Sequence, residues 1–323
     1  MKKVLITGAA GMIGSHLSDE LLRKGYKVVG MDNLAVGRIE NVEHNLKDRN
    51  FKFIRVDILD IDAVKSAAKN MDIIVHLAAS KKIGEDRSAF KTLTVNAEGT
   101  RNVFEAAKKR RIKVIFASTS DVYGNSNDLP FKEDGKLVIG SPTAKRWAYA
   151  ASKIYCEQLA FAYYKEFKVP IVILRYFGGF SPRASFSWSG GHVPVFIKAV
   201  LNNRPVMIHG SGKQTRSMAY VDDLIAGTVL AMESSRAVGE IFNIGNDEET
   251  AVIETARLIK EISGRTKVPV KFIPFKKVFG DYAEIMRRVP DLSKAKKILG
   301  YQPTISLREG IKRTIEHYLI RKK

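Results

Sequence analysis

The feature that most constrains the fold of this chain is a glycine-rich turn between a short apolar run and an amphipathic segment. Gly8, Gly11 and Gly14 follow the apolar run 3–7, and helical periodicity begins directly after the turn. Gly8 permits a tight turn, Gly11 lets the backbone approach a pyrophosphate, and Gly14 allows close packing of helix on strand. The arrangement predicts the first βα unit of a dinucleotide-binding sheet.

An acidic residue at the end of the next apolar run fits the same turn. Asp32 follows the run 27–31 and lies 18 residues beyond Gly14. A carboxylate at this distance would accept hydrogen bonds from an adenosine ribose and would repel a 2′-phosphate. The motif therefore predicts NAD rather than NADP, bound beside the helix that Met12 and Ile13 open.

Short β-branched runs alternate with amphipathic segments through the first half of the chain. Strands are predicted at 3–7, 27–31, 51–56, 72–76, 113–117 and 171–175, and helices at 12–24, 63–69, 96–109 and 144–167. Strands that are apolar on both faces and separated by helices form a parallel, doubly wound sheet. The predicted fold class is α/β, a Rossmann-type sheet with a smaller C-terminal α/β substrate lobe.

A change in composition after Phe177 marks the start of that lobe, because glycine, proline and serine become frequent. The predicted ranges are 1–177 for the NAD-binding domain, with 217–246 returning to it, and 178–216 with 247–323 for the substrate lobe. A strand near 240–244 is expected to rejoin the sheet.

Composition indicates a globular chain with a basic surface. Hydrophobic residues make up 45% of the 323 positions, and 54 Lys and Arg against 34 Asp and Glu give a formal charge of +20. Such a charge attracts polyanions, but the cations are spread out and no nucleic-acid-binding spacing accompanies them. We expect a solvated basic surface and no nucleic-acid partner, with an NAD-binding regulator that binds polyanions as the non-enzymatic alternative.

The apolar runs and the single cysteine bear on localisation. No run approaches the roughly 20 residues of a membrane span, and the N-terminus lacks the apolar stretch of a signal peptide. Cys156 is the only cysteine and cannot form an internal disulfide or a thiolate metal site. We expect a cytoplasmic protein with no membrane partner and no metal.

A tyrosine and a lysine four residues apart carry the candidate chemistry. Tyr149 and Lys153 share a face of the helix predicted at 144–167. A cation beside a phenol lowers the phenol's pKa toward the range of a useful general base. Thr119, just after the strand 113–117, could hydrogen-bond a substrate alcohol and relay its proton to Tyr149.

These motifs together resemble the extended short-chain dehydrogenase/reductases that modify nucleotide sugars, over essentially the whole chain. The matching segments are 7–14, 32–34, 57–58, 76–79, Asn96, Thr119, Tyr149 with Lys153, 210–216 and 288–292. The resemblance implies hydride abstraction from a sugar carbon, usually C4, and a homodimer built on a helix bundle that includes the Tyr149 helix.

The resemblance also implies roles for individual residues. The further cofactor-binding residues would be Asn33, Asp57, Ile58, Leu77, Ala78, Ala79, Lys81 and Asn96, together with Tyr149 and Lys153. Asp57 and Ile58 would face the adenine, and Asn96 would support the backbone on the cofactor side. Arg216 and Arg288 would hold the nucleotide diphosphate, because guanidinium groups clamp phosphates.

Three reactions are open to such a site, and a 4-epimerase has the fewest requirements. It moves the C4 hydride to NAD and returns it to the other face of the 4-keto sugar, which needs only Thr119, Tyr149 and Lys153. The segment 78–85 resembles that of UDP-galactose 4-epimerases, in which alanines line the nicotinamide half and a lysine at the Lys81 position meets NAD. We therefore expect an NAD-dependent 4-epimerase of a UDP-hexose.

A 4,6-dehydratase or a UDP-glucuronate decarboxylase would need an extra acid–base pair beside Thr119. Ser120 and Asp121 occupy those positions, although such enzymes carry glutamate where Asp121 stands. The segment 145–149 resembles one branch of the decarboxylases. The alternative role for Asp121 is to cap the loop after the strand.

Two further features concern the substrate. Lys81 and Lys82 would favour an acidic sugar such as a uronate. Gly178 stands where many relatives carry asparagine, which removes a side-chain donor expected near the diphosphate. The identity of the sugar therefore stays open at this point.

Overall fold

The computed structural model describes residues 1–81, 88–144, 146–186, 191–279 and 284–320. Its central sheet is made of β1 (Lys3–Thr7), β2 (Lys27–Asp32), β3 (Phe51–Arg55), β4 (Ile73–His76), β5 (Lys113–Thr119), β6 (Ile171–Tyr176) and β11 (Ile241–Ile244). The spatial order is β11-β6-β5-β4-β1-β2-β3, and every neighbouring pair is parallel. The predicted α/β class is confirmed, and the strand expected near 240–244 joins the sheet edge beside β6.

Helices cover both faces of the sheet. They are α1 (Met12–Arg23), α2 (Ile61–Ala68), α3 (Ala89–Lys108), α4 (Trp147–Phe167) and α6 (Val221–Glu233). Helices α2, α3 and α4 pack side by side, while α1 and α6 pack together. Burying the strands on both faces accounts for their nearly continuous apolar sequences.

Side-chain caps explain why two helices begin before their predicted starts. The Asp60 side chain accepts a hydrogen bond from the Ala63 amide at 3.0 Å and starts α2. Ser88 does the same for the Lys91 amide at 3.0 Å and starts α3. Such caps satisfy amides in the first turn of a helix, and apolar periodicity alone does not reveal them.

The rest of the chain forms short strand pairs and further helices. These elements are β7 (Gly179–Phe180), α5 (His192–Leu201), β8 (Val206–His209), β9 (Thr215–Ser217), β10 (Ala219–Tyr220), β12 (Glu249–Ala251), α7 (Val252–Ile262), β13 (Val270–Ile273), α8 (Phe275–Phe279), α9 (Ser293–Leu299) and α10 (Leu307–Ile320). The strand pairs are β7 with β10, β8 with β13, and β9 with β12. Along the described residues, no helix has the length and apolar character needed to span a bilayer.

The strand order places a binding crevice. Strand β1 lies between β2 and β4. The chain runs outward from β1 through β2 to β3, then crosses to β4 on the other side of β1 and runs outward through β5 to β6. Ligands of open α/β sheets bind outside the carboxyl ends of the strands at such a reversal. Thr7 and His76 are paired at this edge, as are Thr119 and Tyr176 on β5 and β6. The candidate site residues are thus expected along one edge of the sheet.

Candidate active site

A cavity of about 320 Å³ lies at this edge. Its described lining consists of Gly8, Gly11, Met12, Ile13, Gly14, Leu77, Ala79, Lys81, Ala117, Ser118, Thr119, Ser120, Tyr149, Lys153, Tyr176, Phe177, Gly178, Gly179 and Arg288. The glycine turn, the Thr119–Tyr149–Lys153 set and one of the two predicted arginines therefore share a single cavity.

The glycine turn has the geometry that a dinucleotide requires. Gly8 has φ +73°, and a Cβ on Gly14 would lie 2.2 Å from the Gly8 carbonyl oxygen. A Cβ on Gly11 would contact only that oxygen, at 3.2 Å. Packing therefore does not exclude a side chain here, but a side chain would take up space in the cavity that Gly11 lines. Among the described residues no side chain caps α1, which leaves its amides for a pyrophosphate. The turn fits NAD.

Asp32 is fixed at the rim of this turn. Its carboxylate accepts hydrogen bonds from the Ala10 amide at 3.0 Å and the Leu34 amide at 2.8 Å. Burial raises the pKa of Asp32, and the two amide bonds oppose that shift. The Asn33 side chain donates to Asp57 at 2.8 Å, which ties the neighbouring loop to the same rim. These acceptors lie where a ribose would be held.

Ile58 and Asn96, two other predicted cofactor residues, make contacts within the protein. Ile58 is buried against Gly99, where a Cβ would lie 2.3 Å from the Ile58 Cδ1. Asn96 holds the backbone of Ser80, accepting from its amide at 2.7 Å and donating to its carbonyl at 3.1 Å, and it also donates to Ser152 at 2.9 Å. The structure thus places Asn96 as a support for the segment that carries Lys81.

The segment after β4 departs from its predicted role at one position. Leu77 and Ala79 line the cavity. Ala78 is outside the described lining; its backbone packs against Gly8, and its amide donates to Thr7 at 3.2 Å. The nicotinamide half is therefore lined by alternate residues, because neighbours in an extended segment point in opposite directions.

Thr119, Tyr149 and Lys153, the three predicted catalytic residues, line the same cavity, but the pKa of Tyr149 is not lowered as the sequence predicts. The Lys153 ammonium donates to the Ala117 carbonyl at 2.7 Å, and the Lys81 ammonium lies 4.9 Å from the centre of the Tyr149 ring. Burial and the Asp121 charge raise the pKa of Tyr149, although its hydrogen bond with Thr119 lowers it. The lowering of this pKa by Lys153 that the sequence predicts is not found, and Tyr149 is protonated in the protein alone.

Asp121 forms the most unusual contact of the site. Its carboxylate pairs with Lys81 at 2.8 Å and with Arg288 at 2.6 Å. Burial opposes ionisation, but the charges of Arg288, Lys81 and Arg146 hold the pKa of Asp121 far below its usual range. Loop capping falls to Thr119, whose hydroxyl accepts from the Asp121 amide at 3.2 Å. Capping is therefore not the role of the Asp121 side chain.

The two predicted phosphate-binding arginines lie apart. Arg288 faces Asp121 inside the cavity. Arg216 lies outside the described lining and donates to the Glu284 carboxylate and to the carbonyls of Thr215 and Ile285. Arg288 therefore lies in the same cavity as Thr119 and Tyr149, whereas Arg216 bonds to the Glu284 carboxylate outside its described lining.

Gly178 also has a packing reason. A Cβ on Gly178 would lie 2.6 Å from the Met218 sulfur. The space that an asparagine would need is therefore filled by Met218, a buried residue.

Several lining residues escaped the sequence analysis, notably Ser118, Tyr176, Phe177 and Gly179. These residues lie at or just beyond the carboxyl ends of β5 and β6. The rule that ligands bind at the carboxyl ends of strands would therefore indicate them. Lys82 and the start of the segment 145–149 fall outside the described residues. In the described ranges, no three His, Cys, Asp or Glu side chains gather as a metal centre would require.

Comparison with known proteins decides the family. A family model described as GDP-mannose 4,6 dehydratase matches residues 5–314. The chain belongs to the extended short-chain dehydrogenase/reductases that act on nucleotide sugars. The predicted family is thereby confirmed, and the protein is an enzyme of nucleotide-sugar epimerase, dehydratase or decarboxylase chemistry.

Three similar proteins represent two of these reactions, decarboxylation and epimerisation. A UDP-N-acetyl-α-D-glucosaminuronate decarboxylase from Bacillus cytotoxicus is 36% identical and is covered, like this chain, over 98% of its length. The UDP-glucuronic acid 4-epimerase of Bacillus cereus, solved with UDP-glucuronic acid and NAD, is 33% identical with a TM-score of 0.88 over 99% of both chains. The UDP-glucose 4-epimerase of Thermotoga maritima, solved with UDP-glucose, is 30% identical with a TM-score of 0.88, over 99% of this chain and 100% of that one.

Proposed function

We propose that the protein is an NAD-dependent decarboxylase of a UDP-hexuronate. The observation that carries this proposal is the arrangement of Lys81, Asp121 and Arg288. Two cations, with the charge of Arg146 nearby, face one carboxylate at the reacting end of the cavity. A uronate carboxylate would share these cations with Asp121, whereas a neutral sugar offers them no negative charge.

The cofactor NAD fits the glycine turn and the Asp32 carboxylate, and the Bacillus cereus neighbour binds it. Bound NAD⁺ would supply a hydride acceptor for the sugar's C4 and a positive charge near Tyr149. The Tyr149 oxygen would take the proton of the C4 hydroxyl, which Thr119 orients. The Lys153 ammonium would favour the phenolate that this proton transfer needs.

Oxidation at C4 makes the second step chemically natural. The C6 carboxylate of the resulting 4-keto uronate is β to the ketone, so the C5–C6 bond can break with loss of carbon dioxide. The electron pair moves to the C4 oxygen, where Thr119 and Tyr149 can donate hydrogen bonds to the developing enolate. A proton then adds at C5, and return of the hydride to C4 would restore the C4 hydroxyl, so the reaction needs no external reductant. Arg288 and Lys81 would orient the carboxylate before the bond breaks.

A similar protein supports this choice. The Bacillus cytotoxicus relative is named for removing the carboxyl group of a UDP-uronate, and its match spans the full chain. The sugar that we propose is therefore UDP-glucuronate or its 2-acetamido derivative.

The 4-epimerase expected from the sequence stands as the second candidate. A specific observation favours it, because Asp121 is locked in two ion pairs and strongly ionised, so it is a poor proton donor for any step after oxidation. Thr119, Tyr149 and Lys153 alone would complete an epimerisation. In this candidate the substrate is a UDP-hexuronate or a UDP-hexose such as UDP-glucose.

One experiment separates the candidates. The NAD-loaded protein is incubated with UDP-glucuronate, its 2-acetamido derivative, UDP-glucose and dTDP-glucose, and products are followed by proton NMR and mass spectrometry. The proposal predicts loss of carbon dioxide from a uronate, and Arg288→Gln should slow this reaction about tenfold or more, because Arg288 would orient the carboxylate that leaves. An unchanged mass with inverted H4 would establish the epimerase. Loss of water would establish a dehydratase. Either result, epimerisation or dehydration without loss of carbon dioxide, would overturn the proposed decarboxylation.

We also propose a cytoplasmic homodimer. Phe90 is 80% exposed and Leu93 and Tyr155 are about half exposed, and they lie on the adjacent helices α3 and α4. An exposed apolar patch of this kind is typical of an interface. Sedimentation should give twice the monomer mass, and Tyr155→Glu should give the monomer; a monomeric parent would contradict the proposal.

A further inference from the structure

A second buried ion pair lies directly behind the catalytic residues. Arg175, on β6, and Glu157, on α4, have side chains that are 3% and 5% exposed. The guanidinium donates to both Glu157 oxygens, at 3.0 and 2.7 Å. Desolvating two charges costs several kcal/mol per ion, roughly, so a pair that persists here needs close geometry and complete hydrogen bonding.

Glu157 also contacts the strand that carries Thr119. The Ser118 hydroxyl donates to Glu157 at 2.5 Å. Ser118 itself lines the cavity, and Thr119 follows it as the last residue of β5. The carboxylate therefore holds the end of this strand against α4.

The same carboxylate lies one helical turn from the catalytic lysine. Lys153 and Glu157 are four residues apart on α4 and both are buried, so their side chains share a face of the helix. Glu157 is thus the residue of α4 that connects the positions of Ser118 and Lys153.

The charges around Lys153 give this placement an electrostatic consequence. Burial lowers the pKa of Lys153 to about 8; Cys156 and Glu157 oppose that shift, and Lys81 adds to it. Burial raises the pKa of the Cys156 thiol, and burial lowers the pKa of His76, which faces Lys153 from β4, to about 3. The thiol and the imidazole are therefore neutral near pH 7, and Glu157 is the anion that favours the ammonium.

Arg175 also contacts residues on the side away from Glu157. Its guanidinium donates to the Glu133 carbonyl at 3.0 Å and lies 4.8 Å from the centre of the Tyr123 ring. Tyr123 donates to Asn243 at 2.7 Å, and Asn243 donates to the Asp291 carbonyl at 3.2 Å. The ion pair is thereby connected to the segment that carries Arg288.

We propose that Glu157 is a positioning residue with two separable effects: it fixes Ser118, and with it Thr119, and it keeps Lys153 in the ammonium form. The kinetic part of this inference rests on the proposed oxidation at C4. The electrostatic part does not, because the protonation of Lys153 can be measured without a sugar substrate.

The test titrates Lys153 by NMR in protein carrying isotope-labelled lysine, with the resonance assigned by its loss in Lys153→Met. Glu157→Gln should lower the Lys153 midpoint by about one pH unit, and the alkaline limb of turnover should move with it. Glu157→Asp should keep the midpoint, because it keeps the charge. Asp223→Asn is the matched control, since Asp223 is also buried but bonds Thr304 and Ile305 in the second lobe.

Ser118→Ala isolates the positioning effect. It should lower kcat about tenfold on the uronate that the parent protein turns over, leave KM nearly unchanged and leave the Lys153 midpoint in place. An unmoved midpoint in folded, NAD-binding Glu157→Gln would overturn the electrostatic part. Should that variant fail to fold, a lowered midpoint in Glu157→Asp would overturn it instead. Parental kcat in Ser118→Ala would overturn the positioning part. A parent that turns over no UDP-sugar refutes the proposed function while the titration still decides the role of Glu157.

Discussion

The cofactor side and the sugar side of the cavity are built in different ways. The cofactor side is a backbone turn with the Asp32 carboxylate at its rim, and Gly14 in this turn is required by the Gly8 oxygen beneath it. The sugar side is a cluster of charged side chains from three distant segments, with Asp121 between Lys81 and Arg288. A local motif can specify the first, whereas only the folded chain brings the second together.

This difference teaches where functional identity lies in such a fold. The backbone cradle is suited to any reaction that uses the same dinucleotide, so it identifies the cofactor and not the substrate. In our proposal, the charged side chains of the cluster select the sugar. Substitutions on the two sides should therefore have different consequences.

The largest effect is expected at the junction of the two sides. Tyr149→Phe should reduce turnover about 10³-fold, because it removes the group that takes the C4 proton. NAD should remain bound, since the ring beneath Lys81 is kept. Turnover assays and the fluorescence of the bound cofactor check both statements. Activity near the parental level would show that another group is the base.

The next effect distinguishes packing from binding within the turn. Gly14→Ala should destabilise the fold by about 3 kcal/mol, because its methyl group would overlap the Gly8 carbonyl. Gly11→Ala should change stability by less than about 1 kcal/mol. It should instead weaken NAD binding, because its methyl group points toward the cavity. Urea denaturation and NAD titration measure the two quantities, and equal losses of stability would refute the distinction.

A smaller effect concerns pH and both lobes. Burial lowers the pKa of His76 to about 3, and burial followed by the Arg216 charge does the same for His192. Each histidine binds a proton in the unfolded chain below about pH 6.5 but stays neutral in the fold, so stability is present above this pH and is lost as pH falls.

Urea midpoints at pH 7 and 5 test this dependence. His76→Gln and His192→Gln should each reduce the loss of stability between these pH values by about 2 kcal/mol. A loss as large as that of the parent protein in either variant would show that the corresponding histidine does not drive it.

Sequence reasoning succeeded where structure is local. The strand at 3–7, the turn and Asp32 were predicted in place because their spacing reflects contacts between neighbours in the fold. Helices α2 and α3 begin earlier than apolar periodicity predicts, because the side chains of Asp60 and Ser88 cap them. The sequence predicts Arg288 as a phosphate ligand but does not reveal its ion pair with Asp121. The two residues are 167 positions apart, and no periodicity relates them.

The protonation of Tyr149 was also beyond the sequence. The motif shows a lysine four residues away, but burial and the Asp121 charge decide the direction of the pKa shift. Both depend on how completely the cavity encloses the phenol. The sequence alone therefore does not determine the pKa of Tyr149, because burial and a charge from a distant segment set it.

The most direct test of the account measures sugar binding without turnover. NAD-loaded Tyr149→Phe is titrated by calorimetry with UDP-glucuronate and with UDP-glucose. The cluster of Lys81, Asp121 and Arg288 predicts at least about tenfold tighter binding of the uronate, equivalent to about 1.4 kcal/mol. Equal affinity, or tighter binding of UDP-glucose, would contradict the claim that this cluster selects an acidic sugar.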